Sequence, residues 1–209
     1  MKTTPFRVLF SVVLAFEATC AWAQPANDNF ANAIPITLAS NTVPGSNVGA
    51  TKEPGEPSPV GTGGASVWWN WLAPASGLMN INTIGSSSFD TILGVYTGSA
   101  VNSLTLVAAD DDSGGNHTSL VTINAVAGTT YQILVDGYNG ATGSIVVTVD
   151  ALPSITSPTT ASGTVGIAFS YTIVARNNAA GFKANGLPPD FLLDPSSGVI
   201  SGLPAVGGS

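Results

Sequence analysis

Asp110, Asp111 and Asp112 stand side by side ahead of Ser113, Gly114 and Gly115. Three adjacent carboxylates repel one another unless water or a cation neutralises them. A hard cation such as calcium, which takes six to eight oxygen ligands, suits a turn of this kind. Asp28, Asn27 and Asp90 are further oxygen donors that a fold could bring to the same place. The spacing is not that of an EF-hand, and the competing reading is a solvated hairpin turn whose Asp side chains cap backbone N–H groups. A second candidate lies in Trp68, Trp69 and Trp71. On a strand, alternation puts Val67, Trp69 and Trp71 on one face and Trp68 on the other. Trp68 is therefore the candidate glycan contact, since an exposed indole can stack on a sugar face; the competing use of all three is core packing.

Catalytic chemistry finds little to work with. His117 is the only histidine, so a serine hydrolase would have to use it as general base. Neither a G-x-S-x-G elbow nor an H-E-x-x-H zinc motif occurs. The carboxylate pair of a glycosidase could be drawn from Asp90, Asp110, Asp112 and Asp136. These residues stand where strand ends and turns are expected, and Asp136-Gly137 and Asn139-Gly140 are pairs that a tight connection favours. The chain reads as a protein without an active site.

The elements that must position these residues are strands. After residue 23 helical periodicity is nearly absent, and short alternating runs bounded by Gly, Asn, Asp and Pro recur about every ten residues. Tyr131, Ile133 and Val135 share one face of a run, and Val121 and Ile123 share one face of another. With Val67 to Leu72, Leu78 to Ile84, Thr91 to Tyr96, Ser103 to Ala108 and Gly143 to Val149, seven strands make one sandwich. Between Asn41 and Ala65 the chain is rich in Gly and Pro, which predicts a surface loop and no sheet interior.

The start of the chain follows the grammar of an export signal. Lys2 and Arg7 give a positive end, Val8 to Phe16 an apolar stretch, and Ala21-Trp22-Ala23 a cleavage site, so residues 1–23 are expected to be removed. The apolar stretch is too short for a bilayer crossing, and no later segment is apolar enough to span. Cleavage also removes Cys20, which leaves neither a disulfide nor a thiolate metal site. Three basic residues then face eleven acidic ones, a formal charge of −8. Nucleic acid and anionic lipid are thereby poor partners. Charged residues are only 8% of the chain, with Gly, Ser, Thr, Asn and Val in their place, the look of an extracellular β-protein.

From about Pro25 to Val149 the chain resembles the bacterial pre-peptidase C-terminal domain family. The likeness rests on Asn27-Asp28-Asn29-Phe30, Ser66-Val67-Trp68-Trp69, Phe89-Asp90-Thr91, Asp110 to Gly115 and Tyr131 to Gly137. It implies a jelly-roll-like β-sandwich in an accessory role beside secreted peptidases, with calcium or collagen binding among relatives. On this reading the copy is expected to follow the export signal directly, with no peptidase ahead of it. Two prolines, Pro153 and Pro158, bracket a short link over 151–158. Beyond it, Gly166 to Tyr171, Gly186 to Pro189, Leu193 to Gly202 and Pro204 resemble the immunoglobulin-like, cadherin-like repeats of bacterial surface proteins. There Asp194 to Gly198 makes a turn with Gly198 at positive φ, and Val199-Ile200 returns as a strand.

The expectation is therefore an all-β chain: a signal peptide (1–23), a pre-peptidase-like jelly-roll sandwich (24–150), a linker (151–158) and a partial immunoglobulin-like sandwich (159–209). Its expected work is that of a secreted or cell-surface accessory, adhesion or spacer module without catalysis. Calcium is held by Asp110, Asp111, Asp112 and Asp28, and the partner is an extracellular protein or polysaccharide. The alternatives are the N-terminal part of a larger secreted hydrolase and a carbohydrate-binding module.

Overall fold

The computed structural model of the chain describes residues 23–37, 41–87, 89–177 and 179–205. The expected signal segment therefore lies outside the described residues, apart from Ala23. Nine strands form two sheets. They are β1 (Ile34–Ile36), β2 (Thr42–Ser46), β3 (Val67–Leu72), β4 (Gly77–Asn82), β5 (Thr91–Thr97), β6 (Thr105–Asp110), β7 (Leu120–Ala125), β8 (Thr130–Gly137) and β9 (Ser144–Ala151). One sheet runs β1-β3-β8-β5-β6 and the other β2-β9-β4-β7. All their pairings are antiparallel except that of β1 with β3.

The alternating runs become the two inner faces. Val67, Trp69 and Trp71 of β3, Leu93 and Val95 of β5, and Tyr131, Ile133 and Val135 of β8 pack against Ile81, Val121, Ile123, Ile145, Val147 and Val149 of the other sheet. This single core identifies the fold as an all-β sandwich. Gly45 on β2 is required by that packing, because a Cβ there would fall on the ring of Trp69. The seven expected strands are all present. Two more, β1 and β2, are short and each carries a proline. β2 carries Pro44 and lies at a sheet edge, where a missing N–H leaves no ladder bond broken. The loop expected over 41–65 thus begins with an edge strand, and only its remainder is irregular.

The outer face of the five-stranded sheet is not open. Trp68, Tyr96 and Leu134 form a second cluster there, covered by Phe30, Ala33, Val101 and Leu104. Phe30 meets Trp68 edge-on, with ring centroids 5.1 Å apart.

Five short strands follow: β10 (Ser154–Ile155), β11 (Phe169–Thr172), β12 (Ala175–Arg176), β13 (Phe191–Leu193) and β14 (Val199–Gly202). They make a two-stranded sheet, β10-β12, and a three-stranded one, β11-β14-β13. The expected turn is there: Asp194 Oδ1 accepts from the N–H groups of Ser196 and Ser197, and Gly198 has φ 72°. Among the described residues, every fully buried apolar side chain lies at or before Val149. No described helix is long and apolar enough to cross a membrane.

Candidate functional site

The acidic turn connects β6 to β7 and sits at one end of the sandwich. Its conformation comes from Asp110. Oδ1 accepts from Ser113 Oγ at 2.6 Å, while Oδ2 accepts from the N–H groups of Ser113 and Leu120, both at 2.9 Å. Burial works against this carboxylate's charge, but the hydrogen bonds from Ser113 and Leu120 outweigh it and hold the group below its ordinary range. Asp110 is thus a turn anchor with both oxygens engaged, as the capping reading of the turn requires.

The rest of the loop is pinned from the sheet. Thr91 N–H donates to the carbonyl of His117 at 3.0 Å, and Gly114 N–H donates to that of Thr118 at 2.8 Å. Gly115, Asn116 and His117 take consecutive left-handed conformations, φ 78°, 50° and 62°. Behind them the hydroxyls of Thr83, Thr91 and Ser119 form a buried knot, with Thr83–Thr91 at 2.7 Å and Thr91–Ser119 at 3.0 Å. Thr83 follows β4 in one sheet and Thr91 opens β5 in the other, so the knot ties the two sheets together beneath the loop.

Asp90, Asp111, Asp112 and His117 meet above that knot. His117 Nδ1 is 3.5 Å from Asp112 Oδ1 and 3.8 Å from Asp90 Oδ2. One ligand atom from each of these three residues falls within 4.8 Å of the others. His117 and Asp112 are largely exposed, at 71% and 66%, and Asp90 is 30% exposed. Asp90 Oδ1 and Asp111 Oδ1 are nevertheless sealed from solvent with no donor to meet them. Burial first, then the charges of Asp90, Asp112 and Asp110 and the facing carboxyl of Asp90, push the Asp111 carboxyl up. Two sealed carboxylate oxygens that face another negative group lack a positive partner, and a hard divalent cation with oxygen ligands fits that donor set.

The other expected residues lie elsewhere. Asp28 is buried at the β3 side of the sheet, where Oδ1 accepts from Thr51 N–H at 2.6 Å and Oδ2 from Thr51 Oγ1 at 2.9 Å. Two strands, β8 and β5, intervene between β3 and β6, so at about 4.8 Å per strand spacing the acidic turn is roughly 14 Å away. Asn27 is equally committed: its side chain donates to Trp68 O at 2.9 Å and its carbonyl accepts from Trp68 N–H. Trp68 does occupy the face opposite Trp69 and Trp71, but it is 0% exposed. The expectation of a surface indole is corrected, because Phe30 and its neighbours cover that face and the ring has no surface to offer a sugar.

Asp136, expected at a turn, is instead a buried anchor in β8. It is 0% exposed, with Lys52 Nζ at 3.0 Å from Oδ2. Its Oδ1 accepts from the N–H groups of Gly64, Ala65 and Gly137, at 2.9, 2.8 and 2.8 Å. The sequence signal for it was weak: a lone Lys52 in a proline-rich loop, and an acidic residue directly after Ile133-Leu134-Val135 near the end of β8.

No family model matches the chain, and no curated protein does. Solved structures similar to it include the following two. The pre-peptidase C-terminal domain of a collagenase from Bacillus anthracis is 17% identical, covers 56% of this chain and 94% of its own, and has a TM-score of 0.40. CorA, a surface-associated copper-binding protein of Methylomicrobium album BG8, is 9% identical, covers 57% and 98%, and has a TM-score of 0.42.

Proposed function

We propose that this protein is an exported, non-catalytic accessory module, used in adhesion or as a spacer, whose sandwich is stiffened at one end by calcium. The observation that carries the cation is the Asp90–Asp111 pair, with two sealed oxygens and no donor for either. Asp90, Asp111 and Asp112 supply the ligands. Asp110 shapes the turn, Asp28 takes no part, and His117 borders the site. A low-charge surface of Gly, Ser, Thr and Asn suits work outside the cell, and with a single cysteine in the sequence a bound ion is one way such a fold gains stability without internal cross-links. Its partner on this reading is an extracellular protein or polysaccharide.

The test is a thermal melt in calcium and in chelator. A ligand at 100 times its Kd adds ~2.7 kcal/mol, which moves the midpoint of a sandwich this size by roughly 5 to 15 °C. Asp111→Asn with Asp112→Asn abolishes the shift, whereas Asp28→Asn retains it. Equal midpoints in calcium and chelator for the unsubstituted protein would refute the calcium site.

A further inference from the structure

The segment from Asn47 to Ser66 crosses the outer face of the five-stranded sheet as a strap. Pro59 lies on Gly94 and beside the ring of Tyr96, and a Cβ at Gly94 would meet both. Lys52 reaches from the strap to Asp136 and to the carbonyl of Pro57. Two polar atoms are sealed at this contact with no hydrogen-bond partner: Glu56 Oε1 from the strap and the hydroxyl of Tyr96 from β5. Tyr96 is only 2% exposed.

The other oxygen of Glu56 accepts from Glu53 N–H at 2.8 Å. The titratable and charged groups around Glu56 are Lys52 and Glu53 on the strap, Asp136 on β8 and Tyr96 on β5. Lys52 is the cation among them, and it is already committed to Asp136. Glu53 directs Oε2 to the N–H of Phe30. An ionised Glu56 therefore has one oxygen buried without a donor, a costly arrangement that a neutral carboxyl relieves. Burial accordingly pushes the Glu56 carboxyl up, against the nearby Ser66 hydroxyl (whose own hydrogen bond goes to the Thr51 carbonyl), the N–H of Glu53 and the charge of Lys52. Burial and then the charge of Glu56 push the Tyr96 hydroxyl up in turn.

We propose that the strap is a proton-operated cover, docked most firmly while Glu56 is neutral and loosened when Glu56 ionises, so that rising pH uncovers Tyr96. The direction follows from linkage. A carboxyl raised in the docked state favours docking fully below its undocked value, near 4.5, and that favour is lost as the pH climbs to the docked midpoint. Above that midpoint docking is level.

Hydrogen–deuterium exchange of peptides within 50–62, corrected for intrinsic rates, reads this from pH 4.5 to 8. Strap protection in the unsubstituted protein falls by up to about tenfold per pH unit within the window and then levels. Glu56→Gln, which keeps the shape and removes the titration, holds protection flat. Running both in chelator keeps the acidic turn out of the measurement. Constant strap protection in the unsubstituted protein overturns the proposal, as does the same fall in Glu56→Gln.

Discussion

Removing the carboxylate of Asp136 should be among the most damaging single changes outside the apolar core. Asp136 is fully buried and serves four donors: Lys52 at 3.0 Å and the N–H groups of Gly64, Ala65 and Gly137. Asp136→Ala leaves those donors without an acceptor. Breaking a buried pair by losing one partner costs about 3–5 kcal/mol. Each buried N–H left unmet costs about 1–3 kcal/mol, and these costs overlap because they share one acceptor. Lys52 is 24% exposed and can turn its ammonium towards water, which keeps the total near 4 kcal/mol. Asp136→Asn keeps an oxygen for the three N–H groups but loses the charge and sets an NH2 donor where Lys52 found its acceptor, at about 1.5–3 kcal/mol. Urea unfolding followed by tryptophan fluorescence gives both values, with an unchanged slope showing that the two folded states are equally compact. A loss below about 1 kcal/mol for Asp136→Ala, or equal losses for Ala and Asn, would refute the assignment of Asp136 as the anchor of the strap.

Three further outcomes are expected. The depressed Asp110 carboxyl stabilises the fold above its unfolded value of 3.8, and that contribution disappears as the pH falls through the lower folded value. The acid limb of a stability–pH curve therefore flattens in Asp110→Asn. Trp68→Ala opens a cavity beneath Phe30 and costs about 3–5 kcal/mol by urea unfolding, while glycan-array binding of the folded protein is unchanged by Trp68→Phe. Gly45→Val drives a side chain into the ring of Trp69 and lowers the melting midpoint by roughly 5 °C or more, whereas Gly115→Ala has open space and meets only its positive φ.

The inner faces were legible because period-two alternation is a direct record of burial: Val67, Trp69 and Trp71 could be placed opposite Trp68 from spacing alone. What covers an outer face leaves no such record. Phe30 opens a single 3-10 turn, Phe30–Asn32, and nothing in the run around Trp68 shows that an aromatic ring 38 positions earlier closes over it. The acidic turn was visible as composition, yet the division of labour within it was not. Asp110 is consumed by its own loop, while Asp90, twenty positions earlier and ahead of β5, supplies the carboxyl that faces Asp111. Asp28 was assigned to the turn as one more oxygen donor, and strand order decided otherwise. β1 and β2 escaped notice because each is short and carries a proline, which argues against a strand except at a sheet edge.

The pairing of β2 with β9 also fixes when this chain can fold. The side chains of Thr42 and Thr148 meet 3.2 Å apart although 106 positions separate them, and β9 is the central neighbour that β2 and β4 share. Closing so long a loop must precede the contacts that reward it, so the ladder forms late and slowly. A chain synthesised from its N-terminus cannot complete the four-stranded sheet until residue 151 is present. Until then β2 and β4 lack the strand that lies between them, and the edges that β9 will pair stay open.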